Sequence, residues 1–200
     1  MGVSIRAVND ADLEAVYDIC LRTGNAGNDA SSLYRDPTLL GSIYVGPYVM
    51  LPEGRGFVAT DDRGVGGYVL GTLDTRSFEE ACEARWWPAL RARHADPGPS
   101  PSTPDDQLRV LLHRPATAPD EIVEGHRAHL HIDLDPRLQG IGVGRRLIDR
   151  LLAWMVEEGA TGVHLGVDRN NERAVGFYRH LGFVTVLDVG DALYLGRALP

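Results

Sequence analysis

The segment Asp135-Pro136-Arg137-Leu138-Gln139-Gly140-Ile141-Gly142-Val143-Gly144-Arg145-Arg146 sets three glycines and three arginines ahead of an amphipathic helical pattern (Leu147, Ile148, Leu151, Leu152, Met155). Glycines let a backbone come close to a ligand. The free N–H groups of a helix's first turn, at the positive end of its dipole, suit a phosphate or pyrophosphate. The chain contains no lysine, since all 20 of its basic residues are arginine. A P-loop is therefore excluded, as is a Schiff-base lysine. A dinucleotide-binding turn is a second reading, with Gly140-Ile141-Gly142 opening it and Asp168 on a ribose. Against it, the third glycine falls one residue early, at Gly144, and five residues (Asp135 to Gln139) separate the strand from the first glycine.

Just upstream, Ala128 to Leu134 alternates as a strand, so that His129, His131 and Asp133 share one face and Ala128 and Leu130 the other. Three polar residues on one face of a central strand either find hydrogen bonds in the neighbouring elements or shape a polar cleft. They also have the spacing of metal ligands, but no further convergent ligand is evident and no metal site is expected. Asp74 and Asp168, each after a strand, are further candidate bases or acceptor-binding groups. Trp86 and Trp87 offer rings for an acceptor to stack on, or for the core.

These residues need a sheet to position them. Ser4 to Val8 reads as a strand. Asn9 or Asp10 can cap a helix carrying Leu13, Val16, Tyr17, Cys20 and Leu21, which Gly24 stops. Ser31 to Leu51 is apolar but broken by Pro37, Gly41 and Pro47. Phe57 to Thr60 and Val65 to Leu73 form a hairpin across Asp61-Asp62-Arg63-Gly64. Phe78 to Arg93 is helical with an interruption near Pro88. Asp96 to Glu124 holds half of the chain's 12 prolines and reads as an insertion loop with a short ordered element around Leu108 to Leu112. Then follow strand Ala128 to Leu134, helix Gly144 to Glu158, strand Gly162 to Val167, helix Asn171 to Leu181, and strand-like Phe183 to Leu187 and Ala192 to Leu195. This order gives an α/β or α+β domain built on one sheet.

At 200 residues, 44% hydrophobic and 24% charged, the chain suits one packed domain. A net charge of −8 argues against a nucleic-acid coat and favours a cationic or neutral acceptor. Cys20 and Cys82 read as buried small hydrophobes in a reducing compartment. Met1 to Asn9 has no apolar signal core and no run is long enough to span a bilayer. The expected location is cytoplasmic, without membrane or nucleic-acid partners.

Two motifs carry a family resemblance. Gln139-x-x-Gly142-x-Gly144 resembles the pyrophosphate loop of the GNAT superfamily of acyl-CoA N-acyltransferases, preceded by a similar strand and proline in Ile132-Asp133-Leu134-Asp135-Pro136. Asn171-x-x-Ala174-x-x-x-Tyr178-x-x-x-Gly182-Phe183 resembles their second motif. The first half (Tyr17 to Gly24, Asp36 to Gly41, Gly67 to Arg76, Trp86 to Arg91) is similar to the C-terminal acetyltransferase-like domain of animal O-GlcNAcase, of which bacteria carry stand-alone relatives.

The resemblance implies a GNAT fold: a single, mostly antiparallel central sheet splayed between its fourth and fifth strands, flanked by helices on both faces, with the insertion at about 95–125. It implies acetyl-CoA as the cofactor. Main-chain N–H groups of Gln139, Gly140, Ile141, Gly142, Val143, Gly144 and Arg145 would hold the pyrophosphate. Ile132, Asp133 and Leu134 would present main-chain groups to the pantetheine arm, Asn171 would hydrogen-bond it, and Ala174 and Phe177 would pack on it. Tyr178 would protonate the departing thiolate. Ala128 and Leu130 occupy the strand positions that often hold the family's base and are inert, which leaves Asp133, Asp168, Asp74 or a water chain. The expected function is acetyl transfer to a primary amine that no motif specifies; the alternative is an acetyl-CoA-binding pseudoenzyme, with a dinucleotide enzyme third.

Overall fold

The first strand, β1 (Ser4–Ala7), leads through an Asn9-capped 3-10 turn into α1 (Leu13–Thr23). The computed structural model describes residues 2–200; Met1, the start of the stretch read as lacking a signal core, lies outside them. Two short helices, α2 (Leu39–Tyr44) and α3 (Gly46–Met50), occupy the apolar stretch that sequence patterning left irregular. Then come the hairpin of β2 (Arg55–Asp61) and β3 (Gly64–Thr72), and α4 (Thr75–Ala81). A π turn over Cys82–Trp86 joins α4 to α5 (Trp87–Arg91). Pro88 is its cause, because it has no N–H to donate and its ring displaces the regular turn. The proline-rich insertion contributes α6 (Pro104–His113), held by a capping box at Thr103, and α7 (Asp120–Val123).

The second half matches its sequence pattern nearly residue for residue: β4 (Ala128–Leu134), α8 (Val143–Glu157), β5 (Gly162–Asp168), α9 (Glu172–His180), β6 (Val184–Val189) and β7 (Ala192–Ala198). The seven strands form one sheet in the order β1-β2-β3-β4-β5-β7-β6. Every pairing is antiparallel except β4 with β5. That parallel pair lasts for only two partners, Ala128 with Val163 and His129 with His164. Beyond them β4 continues on β3 as far as Leu134, while β5 continues on β7 as far as Asp168. The sheet therefore opens into a V.

Alternation along the strands sorts two cores. Phe57, Ala59, Val69, Ala128 and Leu130 pack under Leu147, Leu151 and Met155 of α8. On the other face Val58, Tyr68 and Leu70 meet Val16, Ile19 and Cys20 of α1 and Leu39 and Leu40 of α2. Among the described residues no helix is long and apolar enough to cross a membrane.

One buried carboxylate ties both layers to the tip of the V. Asp135 caps the turn after β4 by accepting from the Arg137 N–H at 3.0 Å. It also takes the Arg22 guanidinium from the end of α1 at 2.6 Å and that of Arg137 at 2.8 Å. Asp135→Asn leaves two arginines facing a neutral group, and a loss of about 1–3 kcal/mol is expected. Thermal melting should show a drop of several degrees with the far-UV spectrum unchanged.

Candidate functional site

The open V needs its exposed main chain satisfied. The N–H of Asp135 donates to the carbonyl of Gly66 at 2.9 Å, which fixes the phase of the β3–β4 ladder. By alternation Asp133 is bonded to Tyr68 of β3, and the main-chain groups of Ile132 and Leu134 point at the gap. Of these, the Leu134 carbonyl accepts the Gln139 side-chain amide at 2.7 Å. The Gln139 side-chain oxygen in turn accepts from Arg173 of α9, so one side chain bridges the two arms of the V at its mouth.

The glycine loop follows. Several helical segments here begin with an acceptor side chain: Asn9, Asp74, Thr103 and Asn171 each take a first-turn N–H. The 15-residue helix α8 begins instead at Gly142, which has φ +82° and no side chain to cap with. Gly140 also sits in the left-handed region, at φ +74°, where any side chain is strained. The Gln139 N–H is spent on the Pro136 carbonyl at 3.2 Å, and the first main-chain donor bonded inside the helix is Arg146 N–H, to Gly142. Between them, the N–H groups of Gly140, Ile141, Gly142, Val143, Gly144 and Arg145 have no hydrogen-bond partner among the described residues. A row of free amides at a helix N-terminus, with Arg145 exposed beside it, fits a diphosphate.

Both arms open onto one cleft of about 1220 Å³. The sequence-predicted residues that line it are Ile132, Asp133, Leu134, Gln139, Gly140, Gly142, Gly144, Arg145, Asp168, Asn171, Ala174, Phe177 and Tyr178. Ile141 points to solvent at 63% exposure and Val143 is buried in the core, which leaves each only its main chain to offer. Asn171 caps α9 by accepting from the Ala174 N–H at 3.1 Å.

Tyr178 is buried against Phe177 and Phe183, and its hydroxyl makes no hydrogen bond among the described residues. Burial, and then the Asp133 carboxylate, push its phenol above the ordinary range, so it stays protonated. Asp133 lies on the α1 face, where the buried Tyr68 hydroxyl donates to it. Burial raises its carboxyl to about 6, although the Tyr68 bond pulls the other way. Asp168 is exposed at the mouth and accepts from the Asn170 N–H at 2.7 Å. Asp74 caps α4 and pairs with Arg127, away from the cleft. Trp87 is buried in the α1-side core, and the Trp86 indole donates to the Ser42 carbonyl at 2.8 Å. Neither tryptophan lines the cleft, so stacking of an acceptor on them is corrected to packing.

The two histidines separate. The Thr75 hydroxyl donates to the Arg127 carbonyl at 2.7 Å, so it must accept from His129 Nδ1–H at 2.8 Å. His129 Nε2 is then the acceptor for the Tyr48 hydroxyl at 2.6 Å. That chain fixes a neutral tautomer, and His129 is a structural residue. His131, one pair further along, lines the cleft between the Tyr44 and Tyr48 rings.

Patterning gave no sign of the cleft's other wall. Tyr34, Leu40 and Tyr44 come from the irregular first-half stretch, Tyr68 from β3 and Leu108 from the insertion helix. Only the alternation of β3, which sets Tyr68 opposite Asp133, could have pointed there. The turn Asn25-Ala26-Gly27-Asn28, with Ala26 at φ +49° and Gly27 at φ +88°, also lines the cleft and brings Gly27 against Asn171.

A sheet split after its fourth strand, an uncapped glycine loop and a tyrosine-bearing helix across the gap define an acyltransferase of the GNAT class. The profile of the Acetyltransferase (GNAT) family matches residues 103–183. The solved structure of SsHAT is similar over 99% of this chain and 98% of its own, at 40% identity and a TM-score of 0.93. The chain belongs to the GNAT acetyltransferase family. It is also similar, at 24% identity over 98% of its length, to Protein O-GlcNAcase of Rattus norvegicus, but spans only 22% of that relative. An acetyltransferase of Pectobacterium atrosepticum is 31% identical over 77 residues, 38% of this chain. The structure of PaiA N-acetyltransferase from Thermoplasma acidophilum in complex with coenzyme A shares the fold, at 14% identity and a TM-score of 0.56.

Burial sets a pH dependence of stability. His129 and His131 have pKa values below the free value of 6.5, His131 at about 4, chiefly through desolvation. His164, whose Nδ1–H donates to the His126 carbonyl, is lowered by the same cause. Below pH 6.5 the unfolded chain binds protons that these folded histidines refuse, so stability falls. Asp133 acts oppositely, since its folded pKa of about 6 exceeds the free 3.8. The histidines outnumber it by at least one proton, a loss of about 1.4 kcal/mol per pH unit between 6 and 5. Melts at pH 7.5, 6 and 5 should show Tm falling, with a flatter fall in His131→Gln; a Tm that rises with acidification contradicts this.

Proposed function

We propose that residues 1–200 act as one acyl-CoA-binding domain, with its insertion at about 95–125, and transfer acetyl from acetyl-CoA to a primary amine. The observation that carries this reading is the row of six free N–H groups from Gly140 to Arg145 opening onto the same cleft as Tyr178 and Asp133. Those amides, with Arg145, bind the diphosphate of acetyl-CoA. The gap-facing main-chain groups of Ile132 and the N–H of Leu134 take the amide groups of the pantetheine arm as an added strand would, and Ala174 and Phe177 pack along it. Bound there, acetyl-CoA supplies an activated acyl group, whose C–S bond breaks as the amine's C–N bond forms.

The chain's own part is proton management. A primary amine arrives as an ammonium and attacks only when neutral. Asp133, with a pKa of about 6, is ionised at neutral pH and accepts that proton. The Tyr178 hydroxyl, which burial keeps protonated, is an acid and hydrogen-bond donor for the departing sulfur, and the thiolate's developing charge is stabilised as the C–S bond breaks. Asp168, exposed and already bonded to Asn170, is left the minor role of shaping the mouth.

Calorimetry with acetyl-CoA, with NADH as control, tests the binding half. Micromolar affinity for acetyl-CoA alone (about −8 kcal/mol) is expected. Gly142→Ala strains a left-handed position that has open space for the Cβ, so the fold should persist with a loss of about 1–2 kcal/mol. Affinity should fall at least tenfold as the amides turn away. Tyr178→Phe should keep the affinity and lose turnover by about 10²-fold. Tight acetyl-CoA binding without CoA release for any amine would favour the pseudoenzyme reading instead.

A further inference from the structure

The cleft has two ends of different chemistry, and the second identifies the acceptor; this rests on the acetyl-transfer reading above. Around the diphosphate end stand Arg145 of the glycine loop and Arg173, which donates to Gln139. At the α1 end the wall consists of Tyr34, Leu40, Tyr44, Tyr68 and Leu108, with His131 and Asp133 on its floor. No arginine lines this end among the described residues, and His131 is held neutral at pH 7. Among the described residues of this end, the Asp133 carboxylate is the sole ionised group. Tyr68 already donates to Asp133, whereas the hydroxyls of Tyr34 and Tyr44 find no partner among the described residues.

We propose that the acceptor is an arylalkyl primary amine: a single ammonium on a short linker to an aromatic body, with no carboxylate. Three tyrosines beside one carboxylate form a lining suited to one cation at short range. Leu40 and Leu108 give the body an apolar wall, and the unpaired tyrosine hydroxyls can meet a polar ring edge. An amino acid would bring a carboxylate next to Asp133 with no guanidinium to receive it, at a cost of several kcal/mol. A polyamine would leave further ammonium groups without carboxylates, and a sugar would leave most of its hydroxyls against leucine and tyrosine.

The wall is also where the insertion acquires a role. The buried Asp105 accepts the N–H groups of Arg35 and Asp36 at 3.0 and 2.9 Å, clamping α6 onto the first-half loop beside Tyr34. That clamp presents Leu108 to the cleft.

The test compares phenethylamine with phenylalanine, spermidine, glucosamine and a lysine peptide. CoA release with acetyl-CoA is one readout, and calorimetric titration of each amine into the CoA-loaded protein is the other. We expect phenethylamine to exceed the others at least tenfold in kcat/KM and to bind the CoA complex. Tyr44→Ala, an exposed position that does not threaten the fold, should raise its KM about tenfold at unchanged acetyl-CoA affinity. Leu108→Asp should do the same more strongly. Preference for spermidine, glucosamine, phenylalanine or the lysine peptide overturns the acceptor class and leaves acetyl transfer standing. Phenethylamine binding to the CoA complex without CoA release supports the amine site and removes the transfer reading. Failure of phenethylamine to bind or react while another amine is acetylated overturns the proposal alone.

Discussion

Everything at this site depends on the parting of β4 from β5 after two residue pairs. A central strand buried on both faces cannot leave its main-chain groups empty without a cost of about 1–3 kcal/mol each. The fold keeps the gap open by giving each arm another partner, β3 for one and β7 for the other. It spans the mouth with the Gln139 side chain, which takes Leu134 on one side and Arg173 on the other. What is left unsatisfied, the gap-facing groups of Ile132 and the amides of Gly140 to Arg145, lies in one line. A ligand with amides at one end and a diphosphate at the other completes it.

The polar face of β4 follows from the same opening. His129 lies where β4 and β5 still pair, and its environment is closed. Tyr48, Thr75 and Arg127 satisfy both ring nitrogens in one directional chain, so its proton is fixed. His131 and Asp133 lie past the parting, where the strand borders the cleft, and their environments are half open. Asp133 keeps one protein donor, Tyr68, and is desolvated enough to rise to about 6. The alternation that makes the row look uniform in sequence therefore hides a change of role along it. Position relative to the last β4–β5 pair decides which residue is structural and which can handle a proton.

Legibility in the sequence follows the range of the interactions. The cofactor end is built from residues 132 to 178, in which loop, strand and helix follow one another with few interruptions. Its spacing survives as a motif, and its strand and helix limits could be read to within a residue or two. The alternation of β4 correctly set His129, His131 and Asp133 on the face away from α8. Tyr34, Tyr44, Tyr68 and Leu108 are far apart in the chain and share no period, so no local pattern gathers them. Trp86 and Trp87 attracted attention by type alone. The π turn over Cys82–Trp86, just ahead of Pro88, sets both in the first-half packing instead. The helices α2 and α3 were missed because Pro47 and Gly41, which read as breakers, fall at or near helix starts where they are tolerated.

That division has a consequence for how such a chain diversifies. A diphosphate offers the same charge and geometry in every acyl-CoA, so the amide row can be met by one short stretch of backbone. The amine end, as proposed above, would have to match a body that differs from acceptor to acceptor. Here that wall is assembled from three separate segments, of which α6 is held by a single buried aspartate on two main-chain amides. Changing Leu108, or the length of the insertion that carries it, alters the acceptor wall without touching Gly140 to Arg145 or Tyr178. The family profile begins at residue 103, and thus leaves out the Tyr34 loop, α2 and β3, which supply four of the five wall residues. Similarity to other GNAT proteins over the glycine-loop half therefore points to acyl-CoA, whereas the acceptor choice proposed above rests on tyrosines and leucines that only the tertiary fold brings together.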